Sequence, residues 1–455
     1  MACTAKALLG ACLLLVALAI GPAARAQSDL RSAPIAPVTV QTLPQRAAPV
    51  VAPVKFDPAK ATRAYLGRFA GAARARSDAY FEGGYVLILV DTLYTIAVAA
   101  LLLWSGLSAG MRNVAQRFTR SRFWQAPIYV AMFVSAVIVL SFPLTVYEEF
   151  FREHAFGLSN QTFLQWLGDA AIAFGLQLGG SMIVLTVLYA VVRGTRRRWW
   201  IWGTLVAVCF FAFSLMIQPV LIAPLTNHYY PLAESPLKNK ILSLARANGI
   251  AAKNVYEFDA SRQSKRISAN VSGFLGTTRI SLNDNLMKRC TPAEIEAVLG
   301  HEMGHDVLDH GTLLLIWMGL VTAVAFLFLN WGFRVLTDIF GGNWDVRSID
   351  DPAGLPVLMA LLSLFFLFAT PAVNTIVRTT EAQADIFGLN AARQPDGFAT
   401  SVLKLGEYRK LDPSPLEEFV FYDHPSGRTR IAMAMRWKAE HLDDPDIKAG
   451  PVSPQ

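Results

Sequence analysis

Cysteine and charged side chains are both scarce in this sequence. The four cysteines among 455 residues are Cys3, Cys12, Cys209 and Cys290. Their number and spacing predict neither a disulfide framework nor a cysteine-based zinc site. Charged residues make up only 16% of the chain and hydrophobic residues 53%, which excludes an ordinary soluble domain. Because the charges lie in blocks between apolar runs, the sequence predicts a polytopic, mostly α-helical membrane protein.

The N-terminus has the features of a secretory signal. Lys6 precedes an apolar run from Ala7 to Ile20, and Ala24-Arg25-Ala26 forms a small-x-small cleavage site. We therefore predict a signal peptide at 1–26, with an uncleaved anchor helix as the alternative. Either interpretation exports residues 27–58, which are rich in Pro and Ala and are expected to form a disordered linker.

Six further apolar runs approach or exceed the roughly 20 residues needed to cross a bilayer. They lie near 84–109, 125–147, 170–192, 200–223, 313–336 and 354–376. Two polar regions, at about 224–312 and 377–455, separate or follow these runs. The sequence therefore predicts two groups of membrane helices with polar segments between and after them.

Arginine-rich loops predict the orientation of these helices. The loop after the first run carries Arg112, Arg117, Arg120 and Arg122, and the loop after the third carries Arg193, Arg196, Arg197 and Arg198. The positive-inside rule places both loops in the cytoplasm and both polar regions on the exported side. The loop at 337–353 argues against this, because it should be cytoplasmic yet holds only Arg347 among several aspartates. Since much of the net charge of +7 lies in such loops, we expect a lipid bilayer as partner and no nucleic acid.

Residues 301–305 read His-Glu-Met-Gly-His, the spacing of a zinc peptidase helix. Histidines four apart share one helical face, so His301 and His305 can bind one metal ion. Glu302 is rotated slightly off this pair and can take a proton from a metal-activated water. A capping box of Thr291 and Glu294 independently predicts a helix here. The alternative is an ordinary helix that happens to carry these residues.

A third protein ligand must come from elsewhere in the chain. On a continuous helix, His310 would lie about 140° around from His305 and would point away from the metal. Glu381 and Asp385 are four apart on a predicted helix and share a face. Glu381 can therefore ligate zinc while Asp385 orients a ligand histidine. A solvated helix face is the alternative interpretation of this pair.

From about residue 84 to about 437, the chain resembles the type I CaaX prenyl protease family of integral-membrane gluzincins. The motifs that carry the resemblance are Ala297-Val298-Leu299-Gly300-His301-Glu302-Met303-Gly304-His305, Glu381-Ala382-Gln383-Ala384-Asp385, and Tyr422-Asp423-His424-Pro425-Ser426 followed by Arg430. The resemblance implies one Zn²⁺ per chain on His301, His305 and Glu381, with Glu302 as the catalytic base. It also implies that His424 and Arg430 lie at the site as catalytic residues, although His424-Pro425 alone would indicate a surface turn.

The segment 267–273 is similar to the substrate-binding edge strand of that family. A hairpin with a turn near Gly276-Thr277 and a return strand at 279–282 is expected. The resemblance implies that Asn270 and Val271 hold an extended peptide by strand addition. A purely structural hairpin is the alternative.

The resemblance also implies a fold, an α-helical membrane protein with an inserted α+β zinc-metallopeptidase domain. We divide the chain accordingly into a signal peptide (1–26), an exported linker (27–58), N-terminal membrane helices (59–223), a zinc peptidase domain (224–312), a C-terminal membrane helix pair (313–376), a C-terminal peptidase segment (377–440) and a disordered tail (441–455). The family has seven membrane helices, whereas only six runs and a signal are found here.

The signal and the loop charges favour a bacterial inner-membrane protein with its catalytic region in the periplasm. Because bacteria generally do not prenylate proteins, cleavage of membrane or exported proteins for processing or quality control is the expected role. The competing hypothesis is a membrane channel, transporter or scaffold with a structural zinc site. Retention of Glu302 argues against it, since a structural site needs no carboxylate base.

Overall fold

Long helices dominate the part of the chain that the structure describes. The computed structural model describes residues 56–272 and 278–447, apart from the side chain of Val220. The predicted signal peptide, the predicted linker before residue 56 and the predicted tail after residue 447 lie outside these residues. The helices of the N-terminal half are α1 (Pro58–Gly67), α2 (Gly71–Trp104), α3 (Leu107–Phe118), α4 (Arg122–Thr145), α5 (Glu153–Ala155), α6 (Phe163–Thr195) and α7 (Trp199–Ile217).

The C-terminal half combines a small sheet with further helices. Its elements are β1 (Tyr229–Pro231), α8 (Pro236–Ala247), β2 (Val255–Phe258), β3 (Ala269–Ser272), β4 (Arg279–Asn283), α9 (Asp284–Arg289), α10 (Pro292–Val307), α11 (His310–Trp344), α12 (Leu355–Ala392), α13 (Pro395–Leu405), α14 (Pro415–Phe421) and α15 (Gly427–Glu440). The predicted mostly α-helical membrane fold with an inserted α+β region is confirmed.

Five helical stretches among the described residues are long and apolar enough to cross a membrane. The third, Phe163–Ile217, has 55 residues and would be about 80 Å long if it were straight, far more than one crossing needs. It turns instead at Arg196–Arg198, where Arg196 has a φ of 45°, and the two resulting helices α6 and α7 pack against each other. The described helices therefore account for all six predicted apolar runs.

α12 and α1 both connect the predicted membrane regions with the predicted C-terminal peptidase segment. α12 continues without a break from the membrane run through Glu381 to Ala392, so the predicted boundary at 376/377 does not coincide with a helix end. α1, assigned to the membrane region, packs against α13 and α15, and the Tyr65 hydroxyl donates to Asp396 at 2.6 Å. Hydropathy marks where lipid ends, and a helix with internal hydrogen bonds can continue past that point.

The sheet has the strand order β1-β2-β4-β3, which puts β3 at one end. β3 pairs antiparallel with β4, with Asn270 opposite Ser281, so the expected hairpin pairing is confirmed, while its turn lies outside the described residues. The core below the sheet includes the fully buried side chains of Ile280, Leu282, Leu299 and Met303. Because Leu299 and Met303 belong to α10, this core fixes α10 against β3.

Candidate metal centre

α10 begins and runs as its sequence predicts. The Thr291 side chain accepts from the Glu294 backbone N–H, and the Glu294 carboxylate accepts from the Thr291 N–H at 2.7 Å. One face of the helix is buried in the core below the sheet. His301 and His305 project from another face, and their Nε2 atoms lie 3.2 Å apart. Two ligand nitrogens at this separation can bind one metal ion between them.

Small residues let α12 approach α10 closely. A Cβ on Gly388 would lie 2.7 Å from the backbone nitrogen of His301, and one on Gly304 would lie 3.1 Å from Cα of Ala384. A Cβ would clash with backbone at Gly388 and would be tightly packed at Gly304, so glycine allows the two helix backbones to touch here. This contact brings Glu381 and Asp385 of α12 to the histidine pair.

The three predicted ligands come together. Nε2 of His301 lies 3.2 Å from Oε2 of Glu381, and Nε2 of His305 lies 3.6 Å from Oε1. Ligands 2.0–2.1 Å from a tetrahedral zinc ion stand roughly 3.3–3.4 Å apart, close to all three separations. Among the described residues, Oε2 of Glu381 is buried and has no partner with hydrogen-bond geometry. The set therefore fits a divalent metal ion.

Asp385 and Arg430 hold His301 from behind. Nδ1–H of His301 donates to Oδ1 of Asp385 at 2.7 Å, and Arg430 donates to both oxygens of that carboxylate at 2.6 and 2.8 Å. All three side chains are buried. Because Nδ1 of His301 is hydrogen-bonded to Asp385, its Nε2 faces the other ligands. Arg430 contacts Asp385, and it therefore affects the site by holding the carboxylate that orients His301.

His305 has a different support, which the sequence did not reveal. α10 ends at Val307, Asp309 takes a φ of 51°, and His310 begins α11. The continuous helix assumed for His310 is therefore wrong. Nδ1 of His310 lies 3.0 Å from Nδ1 of His305, on the opposite edge of the His305 ring from Nε2, which meets Glu381. His310 also contacts Gln383 at 3.1 Å. The expectation that His310 points away from the metal position agrees with this contact.

Burial and charge set the titration of two groups on α10. Burial lowers the pKa of His301, but the adjacent carboxylates of Asp385 and Glu381 outweigh it and raise the pKa to about 9. A metal ion must displace that proton, so binding is coupled to pH. Burial raises the pKa of the Glu302 carboxyl above its ordinary value, against the opposing effect of His301 and His305. Such a carboxylate is a stronger base than a solvated glutamate.

His424 also lies against the ligand cluster. Its Nε2 lies 3.2 Å from Oε2 of Glu381, and its Nδ1 lies 2.8 Å from Oδ1 of Asp423. The segment that could have been a surface turn thus presents an imidazole to the ligand cluster. Asn270 and Val271 lie on β3, which packs along α10, and both are half-buried.

Two family profiles match most of the chain. The profile of peptidase family M48 matches residues 231–438, and that of the CAAX prenyl protease N-terminal region, five membrane helices, matches residues 69–228. The metalloprotease YhfN of Bacillus subtilis (strain 168) is 28% identical over 348 residues, 75% of this chain and 81% of that protein. The CAAX prenyl protease 1 homolog of Oryza sativa subsp. japonica is 26% identical over 426 residues, 90% and 91% of the two chains.

A solved structure agrees with these matches. The crystal structure of S. mikatae Ste24p has a TM-score of 0.67 to this chain at 20% identity, and the match covers 83% of this chain and 94% of that one. At this identity the likeness supports the fold, while the family profiles carry the activity. The family resemblance predicted from the motifs is confirmed. The chain belongs to peptidase family M48 and is a multi-pass membrane metalloprotease.

Proposed function

We propose that this protein is a zinc-dependent metalloendopeptidase that cleaves peptide bonds within extended segments of membrane or exported proteins. The observation that carries the proposal is the spacing of the His301, His305 and Glu381 ligand atoms, 3.2 to 3.6 Å apart, beside the carboxylate of Glu302. Nitrogen and oxygen donors of this kind suit zinc, and three protein ligands leave a position for chemistry.

Glu302 is the general base in this proposal. When bound, zinc supplies Lewis acidity that activates water and polarises the peptide carbonyl. The Glu302 carboxylate, half-buried beside both histidines, takes the proton of the attacking water. The same carboxyl then passes that proton to the departing amine, which prevents reversal of the cleavage.

His424 and Arg430 have separate roles. His424 Nε2 faces the ligand cluster and, in its protonated form, donates a hydrogen bond to the oxyanion that develops on the carbonyl. Arg430 neutralises the buried Asp385 carboxylate and thereby orients His301. We therefore assign His424 to catalysis and Arg430 to positioning.

The substrate binds in an extended form. β3 lies at the end of the sheet formed by the described strands and packs along α10, so a peptide can add as a further strand. Asn270 and Val271 lie in the middle of β3. Because hydrogen-bonded and non-hydrogen-bonded pairs alternate along the β3–β4 ladder, one of these two residues has its backbone N–H and C=O directed to the open edge, where a peptide can pair with them.

The predicted signal peptide and the arginine-rich loops favour a location in the bacterial inner membrane. The two arginine-rich loops favour the cytoplasm, which puts the metal centre on the periplasmic side. The similarity to a Bacillus subtilis metalloprotease supports a bacterial role. Relatives named CAAX prenyl proteases suggest substrates with accessible segments near a membrane, and we propose processing or quality control as the task.

The Glu302→Gln substitution tests the proposal. The purified variant should keep one zinc ion per chain and lose cleavage of an extended peptide by about 10²- to 10⁴-fold, since only the base is removed. Asp306→Asn, an exposed change one turn further along α10, is the matched control and should keep both properties. Wild-type turnover in Glu302→Gln would reject the mechanism.

A further inference from the structure

Nδ1 of His305 begins a chain of contacts through His310 and Gln383 that the mechanism above does not use. Nδ1 of His305 lies 3.0 Å from Nδ1 of His310, and Nε2 of His310 lies 3.1 Å from Oε1 of Gln383. The His310 side chain is nearly inaccessible, with 1% of its surface exposed, whereas Gln383 is exposed. The chain therefore runs from the metal centre to the protein surface.

With Oε1 of Gln383 facing Nε2 of His310, two neutral imidazoles have one self-consistent arrangement of donors and acceptors. The Gln383 carbonyl oxygen accepts only, so Nε2 of His310 carries the hydrogen. A neutral His310 then has its lone pair on Nδ1, which accepts from Nδ1–H of His305. That leaves the lone pair of His305 on Nε2, the atom 3.2 Å from Nε2 of His301 and 3.6 Å from Glu381. The chain thus selects the metal-binding tautomer of His305.

The break between α10 and α11 is what makes this contact possible. On one continuous helix, His310 would lie about 140° away from His305. The left-handed conformation of Asp309, φ 51°, turns the chain so that the His310 ring meets the back of the His305 ring at a centroid distance of 5.0 Å. A strained non-glycine residue at this junction indicates a conformation held by its surroundings.

We propose that His310 and Gln383 are positioning residues that fix the tautomer and orientation of His305 for metal binding. The inference rests on the proposed zinc site and adds a second, uncharged support to it. His301 is held by a carboxylate and an arginine, both buried, while His305 is held by an imidazole and an exposed amide. Both nitrogens of His310 are engaged, so His310 supports a ligand and is not itself one.

A matched pair of substitutions at His310 tests this role. His310→Leu removes the acceptor at similar volume, and the smaller His310→Asn keeps a carbonyl oxygen close to the place of Nδ1. Zinc affinity, measured by competition with a chromophoric chelator, should fall about 10- to 100-fold in the Leu variant, and the Asn variant should recover most of it. The visible absorption of the cobalt-substituted Leu variant should also shift, because it reports ligand geometry.

Two outcomes would overturn the inference. One is wild-type zinc affinity in His310→Leu. The other is an equal loss in the Leu and Asn variants with equal unfolding temperatures of the metal-free proteins, since packing would then explain the effect. If the His310 variants do not fold, variants of the exposed Gln383 provide the test. Gln383→Leu should weaken zinc binding more than Gln383→Glu, which keeps an acceptor. Identical zinc affinities in these two variants would contradict the proposed role of His310 and Gln383.

The failure of this inference can be told apart from failure of the proposed function. Glu302→Gln tests turnover and leaves the His305 support intact. Tight zinc binding in His310→Leu together with an inactive Glu302→Gln variant would remove only the positioning role. Cleavage by Glu302→Gln would instead remove the base mechanism and leave the zinc-affinity comparison valid.

Discussion

Two polar clusters built around buried charged side chains are linked by α12, and they differ in how completely their polar groups are paired. One is the metal centre around Glu381. The other, the Arg112 cluster, consists of Arg112, Asp345 and Asp351 and lies just before α12 begins at Leu355. Glu381 lies 26 positions after Leu355, about 39 Å along the helix, so one element connects both clusters.

In the Arg112 cluster, donors match acceptors. Arg112, 2% exposed, donates to the Asp351 carboxylate at 2.8 Å and to the Asp345 carboxylate at 2.5 Å and backbone oxygen at 2.6 Å. Asp351 also accepts from the backbone N–H of Ala353. In the metal centre, two imidazole nitrogens face each other and the Glu381 Oε2 atom lacks a hydrogen-bond partner among the described residues. A complete cluster stabilises the fold, whereas an incomplete one marks where a cation belongs.

The largest effect should come from breaking the complete cluster. Arg112→Met leaves Asp351 buried without its cation, so the free energy of unfolding should fall by about 3–5 kcal/mol. Zinc affinity of the protein that remains folded should not change. Denaturant unfolding in detergent and a zinc titration measure the two quantities, with Arg112→Lys as the charge-retaining control. Loss of zinc affinity in folded Arg112→Met would show that the two ends of α12 are coupled.

Arg430→Met removes the corresponding buried guanidinium at the metal centre. It leaves Asp385, which is fully buried, without its guanidinium and loosens the hold on His301. Zinc affinity should therefore fall about 10- to 100-fold. Chelator competition measures this, and Arg428→Met, an exposed arginine on the same helix, is the control. An unchanged zinc affinity would mean that Asp385 does not need Arg430 to orient His301.

A smaller effect is expected where the two helices of the metal centre touch. Gly388→Ala puts a Cβ 2.7 Å from the His301 nitrogen and should cost about 1–3 kcal/mol of stability through overpacking. Zinc binding should weaken as well, because Glu381 moves with α12. Gly180→Ala, where nothing lies within 4 Å, should be neutral or slightly stabilising. Identical behaviour of the two variants would contradict the close contact.

The same contrast explains what the sequence could predict. α10, its cap and its two histidines are local patterns, visible within one helical turn or two. Glu381 and Asp385 were also identifiable, because four-residue spacing puts two carboxylates on one helical face. Local periodicity therefore yielded both helices of the metal centre.

Contacts set by tertiary structure were not predictable in this way. Arg112 was assigned to a cytoplasmic loop, since nothing in its neighbourhood shows that Asp345 and Asp351 lie beside it more than 230 positions later. His310 was placed on a continuous helix, because the left-handed turn at Asp309 leaves no clear mark in the sequence. The close approach of α10 and α12 depends on glycines in both helices, and each looks unremarkable alone.

X-ray absorption at the zinc edge of the purified protein would identify the atoms around the metal. We expect one zinc ion with only nitrogen and oxygen neighbours at 2.0–2.2 Å and outer-shell scattering from two imidazole rings. Glu381→Gln should lose the ion or change this shell. Sulfur neighbours, or an unchanged spectrum in Glu381→Gln, would contradict a centre built from His301, His305 and Glu381.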